Sequence, residues 1–421
     1  MASITPRPVS LLVRLKVFWL VLNAVRYSLV NLVLGRGVKS KSGEKRFRYA
    51  LIRYLLDHST GESDYALGFP GTEGRYLKYC EKKSFQPDTV VLDHGAKAHW
   101  LGPRDAERYI VWFHGGGFAV AGDVGHFAWL QKWSQTLSKQ KSTSAVMLNY
   151  TLTADAKYPT QIKQVVSLLN YLLKQCGLRP DQLVIGGDSA GGNLTMAVLS
   201  HILHPHPQIP ERIELSGPLA GALLVSPWVN FSTMDALFKS NLENDIIGEH
   251  VGMRWGPAYR GEHTDNYIEA QFAETEWFHG LERAVSNIWV WAGGAEVLVG
   301  SINEMTKKLR EVHPRVDYFV EDAALLRAAV VQDEAVLVDC GALTRSLTAS
   351  SWWTACGIEA DSWPWVVRMK ISVGLGMPAK VVGLMARISL GTALRARRRR
   401  PVDAEGGSGN VYSSYLGKPH A

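Results

Sequence analysis

LVIGGDSAGGNLTMAVLSHIL, residues 183–203, sets a short β-type apolar run, a glycine-rich turn and an apolar helical stretch in direct succession. The turn reads Gly187-Asp188-Ser189-Ala190-Gly191, a G-x-S-x-G sequence between strand and helix. Such a tight turn forces its serine into strained backbone angles and packs strand against helix, which leaves no room for Cβ atoms on either side. The hydroxyl of Ser189 is then held out at a helix amino end, where the dipole and the free N–H groups favour developing negative charge. A bare G-x-S-x-G arises by chance; the strand-turn-helix setting makes Ser189 a candidate nucleophile for acyl transfer.

A second glycine-rich loop, His114-Gly115-Gly116-Gly117, follows the apolar run YIVWF and lies 75 residues before the serine, counted from His114. Successive glycines let backbone amides face a crevice without side chains in the way. Gly116 and Gly117, with the amide of Ala190, are the expected oxyanion donors, a role commonly worth a few kcal/mol per donor. His114 then has a structural part.

Around these two loops, apolar β-rich runs alternate with helical patterns from about residue 87. They are TVVLDH (89–94), YIVWFH (109–114), AVMLNY (145–150), LVIGG (183–187), GALLVS (221–226), IWVWAG (288–293) and VDYFV (316–320). Helical stretches at 160–175 and 302–312 lie between them. The alternation predicts an α/β fold with a mostly parallel, doubly wound sheet. Two segments break the pattern: residues 1–86, divided into a hydrophobic helix (1–40) and a cap segment (41–86), and an aromatic-rich insertion at 228–285. Both are expected to be helical lid elements over the carboxyl edge of the sheet, where open α/β folds bind ligands.

Four blocks now carry a resemblance: FHGGGFAVAGD (113–123), NYTLTADAKYPTQ (149–161), GGDSAGGNL (186–194) and SPWVNF (226–231). Their order and spacing resemble the hormone-sensitive-lipase-like branch of the α/β-hydrolases, over roughly residues 87–320. The resemblance implies a serine, acid, histidine triad that cleaves carboxylic esters through an acyl-enzyme, and it looks fungal, as in hydrolases of secondary metabolism. It places the acid at Glu296, in the turn after IWVWAGG. It also expects a histidine shortly after VDYFVED, and there the sequence departs. Leu326 and Arg327 stand at the expected place, and residues 323–339 contain no histidine. After Glu296 only His313 and His420 remain, the first in HPR ahead of a strand and the second next to last in the chain. Without a general base the Ser189 hydroxyl stays protonated at neutral pH and attacks esters poorly. Two functions therefore stand: hydrolysis of an ester of a bulky hydrophobic small molecule, or capture of such a molecule without turnover.

The composition narrows the remaining options. A 421-residue chain with 46% hydrophobic and 20% charged residues can bury a large core. The net charge of +7 owes much to Arg395, Arg397, Arg398, Arg399 and Arg400, and basic residues are not interleaved with aromatics, so no nucleic-acid partner is expected. Histidines and carboxylates show no ligand spacing, so neither metal nor organic cofactor is expected. Cys80, Cys176, Cys340 and Cys356 form no CxxC pair, which fits an intracellular protein, cytoplasmic or held at a membrane such as the endoplasmic reticulum. VFWLVLNAVRYSLVNLVLG (17–35) is long enough to cross a bilayer but carries Arg26, Asn23 and Asn31 inside. An uncleaved anchor, an interfacial helix, or a soluble helix covering the site all fit it. Residues 341–421 no longer resemble a hydrolase: they read as a diverged region with the arginine run and a Gly- and Ser-rich tail expected to be disordered.

Overall fold

The computed structural model describes residues 8–36, 43–232 and 236–321. The expectations on Leu326 and Arg327, on Cys340, Cys356 and His420, and on residues 341–421 lie outside the described residues.

Four helices come first: α1 (Leu11–Leu34), α2 (Gly43–His58), α3 (Gly61–Gly68) and α4 (Gly71–Lys83). Ser10 caps α1 by accepting from the Val13 amide, and Gly35 ends it in the left-handed region at φ 65°. Eight strands follow: β1 (Thr89–Val91), β2 (Lys97–Leu101), β3 (Arg108–Phe113), β4 (Thr143–Asn149), β5 (Leu183–Asp188), β6 (Gly221–Val225), β7 (Ile288–Gly293) and β8 (Val316–Glu321). The helices among them are α5 (Val124–Ser138), α6 (Thr160–Asn170), α7 (Ala190–Leu203), α8 (Ala236–Asn241), α9 (Glu249–Arg260), α10 (Leu281–Ala284) and α11 (Val299–Val312).

One sheet runs in the order β1-β2-β4-β3-β5-β6-β7-β8. From β4 through β8 every pairing is parallel, while β1–β2 and β2–β4 are antiparallel. The seven strand segments expected from the apolar runs are all present, the first shortened to Thr89–Val91. The eighth, β2, was not expected, because Lys97 and His99 interrupt its apolar character. Its His99 is nonetheless buried, stacked on Tyr76 at 4.5 Å and hydrogen-bonded to the Thr89 hydroxyl at 2.9 Å.

Side-chain parity shows how helices cover both faces. Val111 and Phe113 of β3 point into the main core with Leu194 and Val198 of α7 and Ile162 and Val165 of α6. Trp112 points the other way, against Trp129 and Trp133 of α5, at 4.7 and 6.0 Å between ring centroids. Helix α4 lies beside α5 on that second face, with Tyr76 and Tyr79 against Phe127.

Register positions the loops that matter. Phe113 at the end of β3 pairs with Gly187 near the end of β5, so the segments that follow them emerge side by side from the carboxyl edge. Asp188 pairs with Val225, and Val225 with Trp291, which brings the loops after β6 and β7 to the same edge.

Candidate active site

Ser189 sits at the N-cap of α7 with φ 51° and ψ −113°, a strained conformation for a residue bearing Cβ. Three backbone bonds hold it there: its amide donates to the Val225 carbonyl at 2.9 Å, and its carbonyl accepts from Asn193 and Trp228 at 3.0 Å each. The flanking glycines are required by space. A Cβ on Gly191 would lie 1.8 Å from the Phe113 carbonyl oxygen, and one on Gly187 would lie 2.3 Å from the Gly191 carbonyl carbon. The chain thus closes on itself too tightly for a side chain at Gly187 or Gly191.

Asp188, the variable residue of the turn, ties this elbow to the loop after β3. Its carboxylate accepts from the Gly115 amide at 3.0 Å and the Trp112 indole at 3.1 Å, and faces His126 Nε2 at 3.3 Å. Burial by itself would raise this carboxyl, but His126, with help from His114 and the Trp112 indole, holds it below its ordinary value. His114 is fully buried, and burial pushes its pKa down to about 3. It stacks on Tyr150 at 4.2 Å, with Nδ1 against the Gly115 carbonyl at 2.7 Å, and the Tyr150 hydroxyl donates to the His114 carbonyl at 2.8 Å.

Gly116 and Gly117 both have positive φ, 107° and 59°, and a Cβ on Gly116 would meet the Val120 carbonyl at 2.6 Å. The Gly115 amide is taken by Asp188, whereas among the described residues the amides of Gly116, Gly117 and Ala190 have no acceptor. Gly117 and Ser189 line one small cavity with Trp228, Phe231, Val251 and Trp255. Its free volume is about 30 Å³, room for roughly one water.

The roof of this cavity is built by two distant segments. Trp255 of α9 lies so close over the loop after β3 that a Cβ on Gly117 would be 1.9 Å from its ring. The indole N–H donates to Asp64 of α3 at 2.8 Å, and Asp64 also accepts from Arg254 at 3.0 Å and Ser59 at 2.5 Å. Arg53 of α2 donates to the carbonyls of Leu242 and Asp245. Farther along, α4 braces the loop from behind: Arg75 donates to the carbonyls of Ala121 and Leu67 at 3.1 and 3.0 Å, and Thr72 accepts from the Gly122 amide at 3.0 Å.

Glu296 follows β7. Its Oε2 accepts from the Ser226 hydroxyl at 2.7 Å and the Gly293 amide at 3.0 Å, while Oε1 is buried with no hydrogen-bond partner among the described residues. Burial pushes the carboxyl up to about 8, and the nearby Asp245 carboxylate adds to this against the pull of Ser226 and Gly293. His313 is spent elsewhere: it is buried, with Nε2 on the Val285 carbonyl at 2.9 Å and Nδ1 accepting from the Arg315 amide at 3.1 Å. Among the described residues no group of three or more His, Cys, Asp or Glu side chains could hold a metal ion.

A strained serine and glycine amides on adjacent loops at the carboxyl edge of this sheet agree with the match to a family model, described as an alpha/beta hydrolase fold, over residues 110–325. The chain belongs to the α/β-hydrolase fold family. Curated relatives place this α/β-hydrolase near the hormone-sensitive-lipase-like branch. Human hormone-sensitive lipase is 26% identical over 174 residues, 40% of this chain and 15% of the lipase. The acetyl-hydrolase of Streptomyces hygroscopicus is 24% identical over 168 residues, 40% of this chain and 51% of the relative. Steryl acetyl hydrolase 1 of Saccharomyces cerevisiae is 31% identical over 126 residues, 29% of this chain and 26% of the relative. The matches thus span at most about half the length of these relatives. An esterase of the bacterial hormone-sensitive lipase family shares the fold, with a TM-score of 0.51 and 22% identity over 67% of this chain and 88% of its own.

In this α/β-hydrolase the sequence reading named Ser189, Gly116, Gly117, Ala190 and Glu296, and the sheet brings the loops bearing them to one edge. It did not single out Asp188 and His126, which couple the two loops, or Ser226, which holds Glu296. Asp188 was visible as the one charged residue within the elbow. His126 carried no signal, since its role depends on α5 bringing it against Asp188, 62 residues away in the chain.

Proposed function

We propose that this protein is a serine hydrolase that cleaves a carboxylic ester formed by a short acyl group and a bulky apolar alcohol. The observation that carries this is the cavity shared by Ser189 and Gly117, next to three backbone amides that have no acceptor among the described residues. In this reading Ser189 Oγ attacks the ester carbonyl, and the amides of Gly116, Gly117 and Ala190 receive the charge that develops on its oxygen. The amino end of α7 adds its dipole to the same place. Glu296 orients the group that takes the serine proton, through Oε1. The small free volume and the apolar lining favour a short acyl chain, as do the names of the acetyl-hydrolase relatives. The bulky alcohol rests on the likeness to the steryl acetyl hydrolase. We further propose that the protein works at a membrane, on the strength of the apolar α1.

A second reading is capture of the ester without turnover, and one observation favours it: Glu296 Oε1 is buried and open among the described residues. Initial rates with p-nitrophenyl acetate and p-nitrophenyl decanoate separate the two. The esterase reading expects turnover of the acetate well above that of the decanoate, abolished in Ser189→Ala. Acetate bound but released unhydrolysed by the wild type would favour capture.

A further inference from the structure

Helix α1 has two unlike faces. One packs on the cap: Val17, Ala24 and Ser28 are buried, and Val17 and Ala24 cluster with Leu55 of α2 and with Ala66 and Leu67 of α3. Tyr27 meets Tyr54 of α2 at 5.0 Å, and Leu32 lies against Gly43 at the start of α2. The opposite face shows Leu15, Phe18, Trp19, Leu22, Leu29 and Val33, each about half or more exposed, with Val33 at 83%. Both faces of this helix are apolar; the difference is that only one of them has a protein partner among the described residues.

Helix α1 is long and apolar enough to cross a bilayer. Its neighbour is not. Helix α2 runs beside it, from Gly43 against Leu32 to Leu55 in the cluster of Val17 and Ala24, and carries Glu44, Lys45, Arg46, Arg48, Arg53 and Asp57. A spanning α1 would drag these charges into hydrocarbon or would have to shed α2, and charges at that depth are strongly disfavoured. A helix lying flat meets neither difficulty: its outer side chains enter the lipid while α2 stays on the water side.

Charge fits the same orientation. Helix α1 has no Asp or Glu and bears Arg14, Lys16 and Arg26. At 100° per residue Arg26 falls within the outer apolar face, and Arg14 and Lys16 fall on its two borders. All three are exposed; Lys16 also reaches Glu62 at 3.5 Å, an exposed pair that competes weakly. Long basic side chains on an apolar face extend their heads to the phosphate level of a bilayer.

We infer that α1 docks in the plane of an anionic lipid surface, outer face down, and does not span the bilayer. The inference rests on the membrane association proposed above and specifies its geometry. It also joins docking to the site, because α3, packed on α1, carries the Asp64 that holds Trp255 over Gly117. The cap that rests on lipid is the cap that roofs the cavity.

The test uses the full chain and vesicles of phosphatidylcholine with or without phosphatidylserine. Spin labels are attached through p-acetylphenylalanine placed at Leu15, Leu22 or Val33, and their depth is read from collisions with oxygen and with a water-soluble nickel complex. The expected result is one shallow depth for all three labels, with binding that strengthens about tenfold or more when phosphatidylserine is present and weakens with salt. Leu22→Glu with Leu29→Glu should abolish binding and leave hydrolysis of p-nitrophenyl acetate in solution unchanged. Labels at 15 and 33 near opposite surfaces with 22 deepest would overturn the flat orientation and leave the membrane reading standing. No binding to either vesicle, or labels already shielded from nickel in the lipid-free protein by another segment or a second copy, would overturn both. Esterase activity is measured separately in each case, so its loss cannot be mistaken for either outcome.

Discussion

The two halves of the site differ in how completely they are finished. On the side of Ser189, Asp188 takes the Gly115 amide and the Trp112 indole, the serine carbonyl takes two amides, and the amides of Gly116, Gly117 and Ala190 are left without an acceptor among the described residues. On the side of Glu296, Ser226 and Gly293 hold one carboxylate oxygen, and the other is buried with nothing to accept from among the described residues. The first half is made of backbone and of glycines whose Cβ atoms would collide, so it is fixed wherever the strands are in register. The second half rests on the Glu296 side chain, one of whose oxygens has no hydrogen-bond partner among the described residues. In the proposed reading, substrate polarisation and proton transfer are therefore assigned to separate halves of the site.

The largest effect sharpening this contrast is expected from Ser189→Ala, which should lower p-nitrophenyl acetate hydrolysis by roughly 10³-fold or more while thermal unfolding shifts little. Equal turnover in that variant would remove the serine from the account. Next comes Asp188→Ala. It strands the Gly115 amide, the Trp112 indole and His126, and should cost about 3 kcal/mol of stability in urea unfolding, with activity falling alongside. A variant as stable as the wild type would mean that the two loops hold themselves without this carboxylate. A smaller effect addresses the other half: free imidazole, offered as an exogenous base, should raise wild-type turnover by about tenfold and leave Ser189→Ala unchanged. Fast turnover indifferent to imidazole would show that the chain supplies its own base and would dissolve the contrast.

The smallest effect concerns pH. The folded pKa of Glu296 lies above its ordinary value of 4.5, so the protonated carboxyl favours the fold. That contribution is full below the ordinary value and is lost as pH rises through about 8. Glu296→Gln, which stays neutral, should gain a few °C of Tm over the wild type between acidic and mildly alkaline pH. A gap that does not widen with pH would mean that Glu296 is already ionised and paired.

What could be read from the sequence followed the same division. The sheet was legible because five parallel-sheet strands are continuous apolar runs, and the elbow because glycine at Gly187 and Gly191 leaves a local mark. The strand β2 escaped because Lys97 and His99 break its apolar run, and His99 is satisfied only by Tyr76 and Thr89 from other elements. Asp64 gave no hint that it holds Trp255, since the two are 191 residues apart. Helix α1 was recognised as apolar, but which of its faces is covered depends on α2 and α3.

The most direct measurement is a crystal structure of the protein after treatment with an alkyl fluorophosphonate, with imidazole present. The account predicts a phosphonyl group bonded to Ser189 Oγ, its oxygen roughly 2.7–3.1 Å from the amides of Gly116, Gly117 and Ala190. An unmodified Ser189 in folded protein, or an adduct whose oxygen turns away from those amides, would contradict it.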